Sequence, residues 1–346
     1  MVITEVKQKV KITAELANQY SKLGKQEKAA RLFDKAVIET ELLTDKKEQE
    51  NMYAHLANEF ASVDDFDKAI EYLEKITDQE VYVKTTWKLV NKSAKAGKMT
   101  LAEKLLAKAV EIANNIEDPY VKVELLTGSG ASFRHIEYSR GVGLVNEAYE
   151  LIATLDDSYN QAILYNEVGA NLIDVKEKEK ALESFNRAFS LTNNISSPIQ
   201  IAQVLAMLGG ELAEKGEREK AYEYLLKGVD VAATIEENEE KWAVLSEISR
   251  NFGQSFKYEN GIETADIIKR PFYKVEGYIR VAKNMIKNKL HDEALQLLDK
   301  SKLITQEMVD PYEKAVVLRK IISELISLKK NEDALQLLSE VEALYN

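Results

Sequence analysis

The chain has 346 residues, 45% of them hydrophobic, with 14 glycines, 4 prolines and no cysteine. Scarce glycine and proline argue against a turn-rich β protein, and the lack of cysteine excludes a disulfide framework, a thiolate zinc site and a cysteine nucleophile. A net charge of −11 argues against a nucleic-acid partner, because such proteins carry a basic footprint.

The first ten residues, Met-Val-Ile-Thr-Glu-Val-Lys-Gln-Lys-Val, have charges in every apolar run, so no secretory core is expected there. No stretch approaches the roughly 18 apolar residues of a membrane span. These readings predict a cytoplasmic chain with no membrane partner. Self-similarity then appears along the whole sequence. The phrase Lys-Ala-x-x-x-Phe/Leu recurs as Lys28-Ala29 with Phe33, Lys68-Ala69 with Leu73, Lys180-Ala181 with Phe185, and Lys220-Ala221 with Leu225. Taking its small residue as an anchor gives Ala29, Ala69, Ala102, Gly141, Ala181, Ala221, Gly261, Ala294 and Ala334, spaced by 40, 33, 39, 40, 40, 40, 33 and 40 residues.

Each unit reads as two helices. Thirteen residues before the anchor stands an apolar residue (Leu16, Leu56, Leu89, Val168, Leu208, Ile248, Val281, Ile321), and the next is usually small. Nine before it comes a large apolar residue such as Tyr20, Phe60, Leu172 or Phe252, and seven after it another small one, Ala36, Ala109, Ala148, Ala188 or Gly228. These offsets follow the helical i, i+3/i+4, i+7 stripe. Pro119, Pro198 and Pro311 each lie 17 residues after an anchor and Pro271 lies 10 after. Proline suits the first turn of a helix, so helices are predicted to start near 119, 198, 271 and 311, with Asp118, Ser197 and Asp310 as caps. The seven-residue difference between spacings is two helical turns and falls after the anchor, which predicts a shorter second helix in the 33-residue units. Glycine at the anchors Gly141 and Gly261 predicts weaker pair packing in units four and seven.

The first unit, Leu16-Ala17-x-x-Tyr20-x-x-x-Gly24-x-x-x-x-Ala29-x-x-x-Phe33-x-x-Ala36, resembles a tetratricopeptide repeat. The resemblance extends over nearly the whole chain and is most specific in units one, two, five and six. It implies an all-α fold, a right-handed superhelical solenoid of about nine antiparallel helix pairs forming one domain over 1–346. It also implies a concave groove lined by the first helix of each pair.

No catalytic or metal-binding constellation stands out. His55, His135 and His291 are the three histidines, and no zinc-type spacing occurs. The acidic run Asp64-Asp65-Phe66-Asp67 falls in a predicted turn, where solvated carboxylates are ordinary. Gly128-Ser129-Gly130 and Gly141-Val142-Gly143 follow no predicted strand, so they read as sites of close helix contact or a hinge rather than a phosphate loop. No cofactor is expected.

The groove is the remaining feature. Its central column, 11 residues before each anchor, holds Asn18, Asn58 and Asn91, then Ala170, Gly210, Arg250, Lys283 and Ser323. In peptide-binding members of the resembled family, an asparagine at this position bonds the backbone of an extended peptide. Lys84 and Lys88 match positions where clamp-type members grip a terminal carboxylate, although Ala14 and His55 replace two other clamp residues. Omitting the irregular unit four, five groove offsets carry 11 basic residues, Lys95, Arg250 and Lys283 among them, against six acidic ones. The chain overall has 47 basic and 58 acidic residues, so the groove inverts the balance and favours an acidic protein or peptide partner. The candidate site is therefore Asn18, Asn58, Asn91, Lys84, Lys88, Lys95, Arg250 and Lys283, in a non-enzymatic scaffold. The alternatives are a self-assembling module, with weak homodimerisation through Leu337, Leu338, Val341 and Leu344, and third, a small-ligand sensor or enzyme using the concave cavity.

Overall fold

The computed structural model describes residues 6–22, 24–133 and 136–344. His135 lies outside them, and so do the side chains of Leu16 and Lys22. Among the described residues there are eighteen α-helices, one short 3-10 turn at Thr192–Asn194 and no strand. The all-α helix-pair architecture is therefore present, with all nine pairs where the anchors place them.

The chain divides into two compact units. The first comprises residues 1–155 with 171–181, and the second 156–170 with 182–346. The first holds α1 (Val6–Lys22), α2 (Gln26–Glu41), α3 (Lys46–Ala61), α4 (Phe66–Leu73), α5 (Gln79–Lys95), α6 (Met99–Asn114), α7 (Pro119–Phe133) and α8 (Tyr138–Ile152). Two helices, α9 (Ser158–Asp174) and α10 (Lys178–Leu191), have residues in both units. The second holds α11 (Pro198–Glu214), α12 (Arg218–Ala233), α13 (Glu239–Gln254), α14 (Tyr258–Asp266), α15 (Pro271–Lys287), α16 (His291–Thr305), α17 (Pro311–Ser327) and α18 (Asn331–Ala343).

The anchors earn their place by burial. All nine are buried, each on the second helix of its pair, where a small side chain lets two backbones approach. The small residue on the first helix faces the large residue four after the anchor. A Cβ added to Gly209 would come within 2.4 Å of Leu225, and one added to Gly169 within 2.9 Å of Phe185. The large residues fill the space between successive pairs. In the first unit Phe33, Phe60 and Tyr72 stack in a column, with ring centroids 4.4 and 5.4 Å apart. Fully burying such a side chain stabilises by about 1.5–3 kcal/mol.

Helix ends follow the local chemistry. All four prolines are the first residues of helices, α7, α11, α15 and α17. Asp118 accepts from the Tyr120 and Val121 amides at 2.9 and 3.2 Å, and Asp310 from Tyr312 and Glu313 at 2.8 and 3.0 Å. Ser197 makes no side-chain cap bond, which corrects the expectation for that residue. The predicted shortening is present: α4 has 8 residues and α14 has 9, and they carry Ala69 and Gly261, the anchors that open the two 33-residue intervals. Five residues before an anchor the backbone turns left-handed. Gly24, Gly97 and Gly216 supply this in three pairs, whereas Asp64, Lys176, Phe256, Lys289 and Lys329 adopt φ of 60–65° in others.

The expectation of loose packing in units four and seven is not met. A Cβ on Gly130 would lie 2.8 Å from the Gly141 carbonyl oxygen, and one on Gly261 2.9 Å from that of Ser249. The Ser249 hydroxyl donates to the Gly261 carbonyl at 2.7 Å. Glycine at these anchors removes the methyl so that the two backbones come closer.

Candidate functional site

Helices α1, α3 and α5 pack side by side as the first helices of three successive pairs. They line a cavity of about 550 Å³. Its wall carries Lys7 and Lys11 from α1, Glu48, Asn51, Met52, Ala54, His55 and Asn58 from α3, and Val81, Lys84, Thr85 and Lys88 from α5. Four lysines thus face one glutamate. The helical period places Lys7 with Lys11, His55 with Asn58, and Lys84 with Lys88 on one face of each helix.

Of the eight residues singled out from sequence, three gather here: Asn58, Lys84 and Lys88. Asn58 is half-buried, and its amide nitrogen donates to the Ala54 carbonyl at 2.8 Å. Its Oδ1 is buried with no hydrogen-bond partner. Lys84 bonds Glu80 at 2.7 Å and Glu124 of α7 at 2.6 Å. Partial burial would lower the pKa of the Lys84 ammonium, but the bonds to Glu124 and Glu80 outweigh it and hold the group above its ordinary value. Lys88 is exposed, as is Lys11. Lys7 pairs with Glu48 at 3.2 Å. The His55 ring has Nε2 3.4 Å from the Lys11 carbonyl.

The other five lie apart from the cavity wall. Asn18 is 4% exposed and donates to Glu59 at 2.6 Å, so it belongs to the α1–α3 seam and not to an open groove surface. Asn91 and Lys95 are exposed on α5. Arg250 pairs with Glu247 and donates through Nε to Asn251 at 3.1 Å. Lys283 lies 3.9 Å from Glu324. In the second unit the inner-face cations are largely matched: Arg280 bonds Glu247 at 2.6 Å and lies 3.4 Å from Glu276, which Lys320 reaches at 2.5 Å. Ala14, at the position of a missing clamp lysine, is buried.

Lys7 and Asn51 also line this cavity and were not singled out from the sequence. Lys7 stands one helical turn before Lys11 and Asn51 one turn before His55, so the same-face period was the signal that could have found them. Among the described residues no cluster of three or more metal-ligating side chains occurs, and no helix is long and apolar enough to cross a membrane.

Residues 50–79, most of α3 with α4, match the family model of the tetratricopeptide repeat. The repeat character implied by the sequence phrases is thus found directly in the second helix pair. No curated protein matches the sequence. Among solved structures, the chain is similar to Ton1535 from Thermococcus onnurineus NA1, at 15% identity over 90% of this chain and 99% of that one, with a TM-score of 0.38. It is also similar to a Rap protein complexed with competence and sporulation factor (13% identity, 98% of each chain, TM-score 0.38). A third is aspartyl phosphate phosphatase F from Bacillus subtilis (13% identity, 100% of this chain and 95% of that one, TM-score 0.36).

Proposed function

We propose that the protein is an interaction scaffold that holds an extended, acidic peptide or protein segment against α1, α3 and α5. The observation that carries this reading is the cavity of about 550 Å³ whose wall presents four lysines and one glutamate in a chain of net charge −11. A concave surface dominated by one sign of charge concentrates its field and raises the local concentration of opposite charge. Lysine-to-carboxylate bonds are charge-assisted and stronger than neutral ones. Asn51 and Asn58 add polar wall, and Met52, Ala54 and Val81 offer apolar wall for side-chain stems of an extended segment.

The test is a pair of measurements on Asn58→Ala with Lys88→Ala. A fluorescent glutamate-rich peptide is titrated into wild type and double variant, and both are melted. Removing such partners costs about 1–3 kcal/mol of binding, so affinity falls at least about tenfold. The melting point stays unchanged, because Lys88 is exposed and Asn58 half-buried. Unchanged affinity places binding elsewhere, and a large loss of stability makes the two residues structural.

A second reading, self-association through the second unit, is favoured by Leu335 and Leu338, which stand 63% and 42% exposed on α18. Leu337 and Val341 are buried and Leu344 packs against the core, so Leu338 is the residue to change. Sedimentation of Leu338→Glu against wild type decides: an identical monomer mass for both at all concentrations removes this reading.

A further inference from the structure

The four lysines of the α1–α3–α5 cavity are not equivalent. Lys7 is matched by Glu48 and Lys84 by Glu80 and Glu124. Lys11 and Lys88 have no ion-pair partner among the described residues, and both are exposed. They come from the two helices that flank α3, which carries His55, Asn51 and Asn58 between them. Two uncompensated ammonium groups therefore share one concave wall with hydrogen-bonding side chains. In the second unit three inner-face cations, Arg280, Lys283 and Lys320, already have carboxylates.

Two free cations match a divalent anion better than a single carboxylate. A phosphorylated side chain carries about −1.5 to −2 charges at neutral pH and three acceptor oxygens. One carboxylate neutralises only one ammonium and leaves the other uncompensated. The cavity volume of about 550 Å³ falls in the range of about 300–1,000 Å³ typical of ligand sites. It admits a phosphorylated side chain together with the backbone that carries it.

We propose that the cavity is a receptor for a phosphorylated protein segment, in which Lys11 and Lys88 grip one phosphomonoester dianion over His55 and Asn58. The proposal rests on the acidic-segment reading and sharpens it, making recognition conditional on phosphorylation of the partner. No bond is made or broken. The phosphate enters as the dianion and leaves as the dianion.

Titration calorimetry on the full chain at fixed ionic strength tests it with three probes: a phosphoserine peptide, the same peptide with glutamate in that place, and inorganic phosphate. The phosphoserine peptide binds at least about tenfold tighter than either of the others, since charge-assisted bonds to a dianion are the stronger ones. Lys11→Ala and Lys88→Ala each weaken it about tenfold, with melting points unchanged. Lys330→Ala, exposed in the second unit, has no effect. Equal binding of the phosphoserine and glutamate peptides, both lost in Lys88→Ala, overturns the divalent site and leaves the acidic-segment reading standing. Inorganic phosphate binding as tightly as the phosphopeptide overturns a segment as the ligand. No binding of either peptide overturns both readings.

Discussion

Two glycine-to-alanine changes in neighbouring helices should move stability in opposite directions. A Cβ on Gly128 of α7 would lie 2.4–2.7 Å from three atoms of the Trp87 ring, whereas one on Gly143 of α8 would meet nothing within 4 Å. In a helix interior alanine is favoured over glycine by roughly 0.5–1 kcal/mol, and Gly143→Ala collects that gain alone. Gly128→Ala collects it too, but the overpacked indole must shift, at a cost of about 1–3 kcal/mol. Shifting it also breaks the bond from the Trp87 Nε1 to the Ser129 hydroxyl at 3.0 Å, worth about 0.5–1.5 kcal/mol. The balance is a net loss of about 0.5–4 kcal/mol. Trp87 and Trp242 are the two tryptophans, so in a Trp242→Phe background urea unfolding followed by indole emission reports on this contact directly. Gly128→Ala should lower the midpoint and red-shift the native emission, and Gly143→Ala should raise the midpoint. Shifts of the same sign, or both within about 0.5 kcal/mol, would refute the packing argument.

Further outcomes follow from single residues. Lys329→Gly should raise the unfolding free energy by up to about 1 kcal/mol, seen as a higher urea midpoint, because Lys329 holds φ near 60° and a left-handed residue with a Cβ costs about 1–2 kcal/mol. Asp310→Ala should cost about 1 kcal/mol through the lost cap, while Ser197→Ala should change almost nothing, since that hydroxyl caps no amide. Glu74 is held below its ordinary pKa first by Lys108, against desolvation, with help from Tyr82. Its contribution is therefore present above the unfolded value of about 4.3 and is lost as pH falls through the lowered folded value, so Glu74→Gln should depress the melting point at pH 7 and not in acid. Glu324 is the reverse: burial raises its pKa despite Lys283 and Lys287, so its contribution is full below the unfolded value and is lost as pH rises through the raised folded value. Glu324→Gln should raise the melting point at pH 7, and the gain should vanish in acid.

The fold was legible because each helix crossing demands a small residue at a fixed offset, and Ala29, Ala69, Ala181 and their counterparts supply it visibly. The shortened α4 and α14 followed from the 33-residue intervals for the same reason. The left-handed turn was half visible, since Gly24, Gly97 and Gly216 announce it while Lys176, Phe256 and Lys329 do the same work without a signal. The site was legible only in part. Column arithmetic found Asn58, Lys84 and Lys88, but put Asn18 in the same class, because nothing in its own helix reveals that Glu59, 41 residues away, reaches it. Lys84 was counted without its partners: Glu80 stands one helical turn before it but outside the groove offsets, and Glu124 lies 40 residues away on α7. Pairing across helices depends on which side chains lengthen toward one another, and a one-dimensional period does not carry that.

The most direct measurement of the central claim is photo-crosslinking of the intact protein with an acidic peptide bearing a benzophenone, mapped by mass spectrometry. Adducts should fall on the inner faces of α1, α3 and α5, at Lys11, Asn51, His55 and Lys88, and should disappear in high salt as surface ion pairs are screened. Adducts confined to α2, α4 and α6 or to the second unit, or adducts insensitive to salt, would contradict the account.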